Sequence, residues 1–178
     1  MVQSSAPISS HSKDGRTHVS VTSHTIPVEH IRMSSERPFS EVRRKLDSIV
    51  PKLDASIQDA LTKGDQDRAT QYDENGPKLS IFLVRDHGAL LQIAGRRRNA
   101  LQYEIGNPLT ASKMTRHQLP AALYAPLRVA LFEDEQGRGI FEYDKPSSFF
   151  GQYGDEPVTE VGRYLDATLE AILRNAAE

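Results

Sequence analysis

An α+β fold, with helices covering one face of a mainly antiparallel sheet, is predicted by three observations. An apolar stripe at helical spacing runs from Phe39 to Leu61, a block of alternating segments follows between Leu79 and Tyr143, and a second helical stripe follows Asp155. The predicted order is strand, helix, four strands, helix.

Each element has its own justification. Residues 1–16 are rich in Ser and poor in apolar anchors, which reads as a disordered tail, with a single α+β domain expected over 17–178. Thr17–Thr22 alternates weakly, and Val28–Met33 is the better strand because β-branched and polar residues interleave. Phe39, Val42, Leu46, Ile49, Leu53, Ile57 and Leu61 then share one helical face. Pro51 interrupts the stripe without shifting its phase, so the expectation is a kinked helix or two nearly collinear ones. Gly64–Lys78, polar and ending near Gly76-Pro77, reads as a connecting loop. Four strand regions come next: Leu79–Val84 with Ala89–Ala94, Asn99–Ile105, Pro126–Glu133 and Arg138–Tyr143. Asp134-Glu-Gln-Gly137 marks a hairpin between the last two. Acids before Pro157 open the final helix, on which Val158, Val161, Leu165, Leu169 and Ile172 keep helical spacing.

Composition excludes several function classes. The 178 residues carry a net charge of −2, which gives no global reason to seek nucleic acid or a membrane. No stretch approaches the length needed to span a bilayer, and a cytoplasmic protein is expected. Without cysteine there are no disulfides, thiolate metal sites or cysteine nucleophiles. The histidines show no metal-ligand spacing, no nucleotide or serine-hydrolase motif occurs, and no cofactor is expected. Charge is nevertheless segregated, with a basic excess from Arg85 to Pro120 and an acidic excess from Phe132 to Glu160. These segments either attract across a subunit interface or lie on two solvated faces.

The run Gly106-Asn-Pro108, then Tyr124-Ala-Pro-Leu-Arg128 before the acidic hairpin, then Phe141-Glu-Tyr-Asp-Lys-Pro-Ser-Ser148 and Phe150-Gly-Gln-Tyr-Gly-Asp155, resembles the domain-of-unknown-function 302 family. The resemblance covers roughly Val28 to Leu173. It implies a compact α+β fold of the group that includes TATA-box-binding-protein-like domains, often in a homodimer. No activity is implied, and so no catalytic residues are carried over.

Three constellations are candidates for chemistry. In Arg85-Asp86-His87-Gly88, set between two apolar strands, a turn at Gly88 would let Asp86 assist His87 as a general base; the alternative is a structural histidine. In Gly106–Arg116, Asn107 can cap a short helix begun by Pro108, and its free N–H groups with Thr110, Ser112, Lys113 and Arg116 would suit an anion; the alternative is an ordinary capped helix. Tyr124, Arg128, Tyr143 and Asp144 form either cross-strand pairs or a polar cleft wall. Phe149, Phe150 and Tyr153 lie in an aromatic loop expected to act as a lid or a dimer contact. The functional expectation is a homodimer binding a small anionic organic molecule between the sheet, Gly106–Arg116 and that loop, with cofactor-free acid/base catalysis by His87 as an extension. A non-catalytic dimerisation or interaction module is the alternative.

Overall fold

The computed structural model describes residues 19–178. The tail expected over 1–16 lies outside them, as do Thr17 and His18, and the chain has no regular structure from Val19 to Glu29. The sheet begins at β1 (His30–Pro38), and Pro38 then leads directly into α1 (Phe39–Ile49), which buries Phe39, Val42 and Leu46. Here the structure corrects the helical stripe. Pro51 has no N–H to continue a helix, and residues 51–53 instead pair with the next strand. The Ile81 N–H donates to the Pro51 carbonyl (2.8 Å) and the Leu53 N–H to the Ile81 carbonyl (2.9 Å). The stripe resumes in α2 (Ala55–Thr62), capped by Asp54 and burying only Ile57.

Gly64–Lys78 is a second correction, because it contains α3 (Gln66–Asn75). This helix buries no residue, so no apolar periodicity announces it. Its start is closed by Asp65, whose carboxylate accepts from the Arg68 N–H (3.0 Å). After β2 (Ser80–Asp86) the run Ala89–Ala94 is helical rather than a strand, forming α4 (His87–Leu91) and a 3₁₀ turn over residues 92–94. Asp86 caps α4 by accepting from the Ala89 N–H (2.8 Å), and Ala and Leu favour a helix once one is started.

The remaining elements are β3 (Ala100–Gly106), α5 (Pro108–Thr115), a 3₁₀ segment (Leu119–Tyr124), β4 (Leu127–Glu133), β5 (Arg138–Asp144), α6 (Pro146–Phe150) and α7 (Glu156–Ala177). Of these, β3, α5, β4, β5 and α7 match their predicted places, whereas the 3₁₀ segment and α6, which takes in part of the expected aromatic loop, do not. The strands form one antiparallel sheet in the order β1-β5-β4-β3-β2. The β4–β5 turn is held by Asp134, which accepts from the Gln136 and Arg138 N–H groups (both 2.9 Å), while Gly137 takes φ +78°.

Alternation on β3 and β4, and on β5 apart from the buried Ile140, divides the sheet into two faces. Tyr103, Ile105, Val129, Leu131 and Phe141 are buried against α1 and α7. The opposite face carries the cross-strand row Arg32, Glu142, Ala130, Gln102 and Arg85, with the Arg32 guanidinium 5.6 Å from the Phe132 ring centre. On the core side the Tyr103 hydroxyl donates to Asp47 of α1 (3.1 Å), and burial raises its pKa far above the ordinary 10. The aromatic loop is also settled. Phe149 and Phe150 sit in the core of this same chain as part of α6, so they are not a lid.

Two outcomes test this arrangement. Leu46 is fully buried and Lys45 exposed, so Leu46→Ala should cost ~2–5 kcal/mol in urea denaturation and Lys45→Ala almost nothing. On the open face, His30 Nδ1 lies 2.9 Å from Asp144 Oδ1 and Nε2 lies 3.5 Å from Glu142 Oε2. The hydrogen bond to Asp144, seconded by Glu142, raises the His30 pKa above 6.5. A raised folded value favours the protonated folded state, so this contribution is complete below the unfolded pKa and fades as pH climbs through the folded one. Stability should therefore fall modestly from about pH 6 to about pH 8. His30→Gln should flatten that slope, the effect being small because the pair faces solvent.

Candidate functional site

The strongest candidate site is a half-open apolar cavity of about 260 Å³ where β3 ends and α5 begins. Phe82, Ala111, Met114, Pro126, Phe150 and Leu165 supply most of its wall, with Gly106, Asn107 and Thr110 at its polar edge. Gly106 lets Pro126 and Phe82 close in on the backbone at the cavity's edge. A Cβ there would lie 3.2 Å from Pro126 Cβ and 3.4 Å from Phe82 Cε2, tighter than ordinary packing. Phe82 reaches the cavity from a register shift in β2 between Ile81 and Leu83, which adds one residue to the edge strand and redirects its side chain.

Asn107 builds the helix as expected but closes its N-terminus. Its Oδ1 accepts from the Leu109 (2.9 Å) and Thr110 (3.1 Å) N–H groups, and its Nδ2 donates to the Pro77 carbonyl (3.1 Å). Lys113 and Arg116 are not at that end at all. Lys113 is in the last turn, with Nζ 3.0 Å from Asp73 Oδ1, and Arg116 is the C-cap, its Nε donating to the Ser112 carbonyl (3.2 Å). Ser112 donates its hydroxyl to the Leu109 carbonyl (2.7 Å). With the first N–H groups taken by Asn107, the helix start offers no free donors. Ser112, Lys113 and Arg116 nevertheless share a cleft of about 530 Å³ with Pro108 and Leu109 of the first turn and with the carboxylates Asp65 and Asp73. Lys113 also lines a second cleft, of about 440 Å³, with Tyr72, Lys78, Glu160 and Tyr164, which meets the apolar cavity at Asn107 and Thr110.

The other predicted residues are dispersed. Asp86 spends its carboxylate on capping α4, and His87 is exposed on the first turn of that helix rather than in a turn between strands. Ser80 pairs with Gly106 at the cavity end of the sheet, whereas Asp86 pairs with Leu101. Five residues of strand place Asp86 roughly 17 Å away along β3. Tyr124 is not a strand residue; it ends the 3₁₀ segment and stacks on Phe149 at 4.8 Å. Arg128 lies opposite Glu104 in the β3–β4 register, and Asp144 is bonded to His30. Tyr143 is buried opposite Val129, its pKa pushed up to about 12 by burial and then by the Glu170 and Asp166 carboxylates. This constellation forms sheet and core contacts, and it lines neither the cavity nor the cleft.

Sequence reasoning found Asn107 and Thr110 but missed Phe82, Met114, Pro126 and Leu165, because each looks like an ordinary core residue. Gly106 directly after a strand was the one available signal. The capping geometry gives a direct test. Asn107→Ala should lower stability by ~1 kcal/mol in chemical denaturation, and Asn107→Asp, which retains the capping oxygen but not the donor to Pro77, should lower it less.

Comparison with known proteins agrees with this fold. No curated protein matches the chain. The crystal structure of an uncharacterized conserved protein DUF302 from Bacillus stearothermophilus superposes with a TM-score of 0.60 at 15% identity, covering 83% of this chain and 97% of that one. At that identity the likeness concerns the fold. A family model, Domain of unknown function DUF302, matches residues 69–176, more than half of the sequence, beginning inside α3 and running almost to the end of α7. On that match, the chain belongs to the DUF302 family.

Proposed function

We propose that this domain binds a small organic molecule whose apolar body occupies the cavity beside Gly106. The observation that carries the reading is an open apolar volume at a glycine, walled by Phe82, Pro126 and Met114, inside an otherwise filled core. An acidic end on that molecule is the finer expectation. Asn107 and Thr110 line both the cavity and the cleft holding Lys78 and Lys113, so a carboxylate there would compete with Asp73 for the Lys113 ammonium. The acid/base extension finds no support in this geometry, since Asp86 and His87 lie near the far end of β3.

Thermal shift with matched carboxylates and neutral amides sharing one apolar body tests both parts. A ligand at 100 times its Kd should stabilise the protein by ~2.7 kcal/mol. Ala111→Phe, which fills the cavity from α5, should abolish the response to both series, while Lys113→Ala should remove only the advantage of the carboxylates. An undiminished response in Ala111→Phe would place the ligand elsewhere.

A further inference from the structure

The β2–β3 connection, made of α4, the 3₁₀ turn and an irregular stretch over 95–99, is highly exposed. From Ala89 to Asn99 every residue is exposed except Leu91, which is half-buried. Leu90 is 60% exposed and Ile93 87%, and their spacing of three in a helical turn puts them on one side. Gly95, at φ +70°, turns the chain into Arg96-Arg97-Arg98. Arg98 is tied down, its guanidinium donating to the Glu133 carbonyl (2.8 Å) and facing the Glu133 carboxylate. Among the described residues Arg96 and Arg97 have no ion-pair partner, and no acidic residue occurs between Ala89 and Asn99.

The base of this projection is fixed. Gly88 is packed so closely that a Cβ would lie 2.2 Å from the Arg98 carbonyl oxygen. Asp86 caps α4, and Asn99 grips the Glu133 carboxylate through its backbone N–H (2.9 Å) and side-chain amide (2.7 Å). Two large aliphatic side chains are thus held out in water by a firm support, beside two guanidinium groups without an ion-pair partner among the described residues, Arg97 sharing a shallow cleft with Asp86 and Glu133.

We propose that this tip is a peripheral docking element for an anionic bilayer surface, with Leu90 and Ile93 entering the headgroup boundary and Arg96 and Arg97 contacting lipid phosphates. Area and charge select this occupant over a folded protein. A stable protein interface buries about 800 Å² per partner with complementary shape, which a projecting turn with two aliphatic side chains does not offer. A fluid surface needs no shape match, and a small apolar insertion combined with basic charge is the pattern of reversible interfacial binding. No helix among the described residues is long and apolar enough to cross a membrane, which bears on spanning a bilayer and not on resting upon one.

Co-sedimentation of the full chain with phosphatidylcholine vesicles, with and without phosphatidylglycerol, tests the proposal. Binding should require the anionic lipid and weaken as salt is raised. Leu90→Ser/Ile93→Ser and Arg96→Ala/Arg97→Ala should each reduce it on the order of tenfold or more, with melting temperatures unchanged because all four side chains are exposed. The proposal is overturned by absence of binding to anionic vesicles at low salt, or by binding that survives loss of the two aliphatic side chains. A self-association in sedimentation velocity that the same substitutions abolish would overturn it in favour of a second copy of the chain.

Discussion

Tyr103, Ile105, Val129, Leu131 and Phe141 face α1 and α7 from three adjacent strands, and none of them touches water. Their burial imposes a period of two on β3, β4 and β5, because a slip of one residue would turn this whole set to solvent. At both sheet edges the register departs from it, between Ser34 and Pro38 on β1 and between Ile81 and Leu83 on β2. Gly139 shows how closely the layers meet: a Cβ at that point would lie 2.8 Å from Val42 Cγ2, so α1 is seated directly on β5. The close contact between strand and helix leaves no room in the centre of the core, and the open volume lies instead at its margin, where Gly106 ends β3.

Legibility in the sequence tracked how much each segment buries. The α7 stripe and the alternation of β3 through β5 are driven by apolar contact, and the pattern was plain there. α3 buries nothing and is maintained by a cap and polar contacts, so its sequence resembles a loop. Ala89–Ala94 is too short for periodicity to separate strand from helix, and the deciding group was the Asp86 carboxylate outside the apolar run. At Pro51 the phase of the stripe survived while the helix did not, because a single pairing with Ile81 took over the backbone groups that a helix would have used.

The candidate site divides in the same way. Asn107 was readable as a cap because its chemistry is local, two N–H groups within three residues. The cavity was not readable, because its walls come from β2, β3, α5, β4, α6 and α7, and every lining residue but Gly106 looks unremarkable in its own segment. Charges misled for a related reason. Lys113 finds Asp73 across a gap of forty residues, and that partner lies in the segment whose helix the sequence concealed.

That concealed helix also supplies one side of a cleft. α3 is joined to the rest of the fold by few tertiary contacts, among them the 3.4 Å contact of the Tyr72 hydroxyl with Ser80 and the solvent-exposed Lys113–Asp73 pair. Only Ala69 and Tyr72 of this helix are half-buried, so α3 adds little to the apolar burial that holds the sheet and α7 together. The cleft that holds Lys78 and Lys113 thus takes one wall, Tyr72 and Asp73, from the helix least anchored in the core, while its other walls stand on α5 and α7.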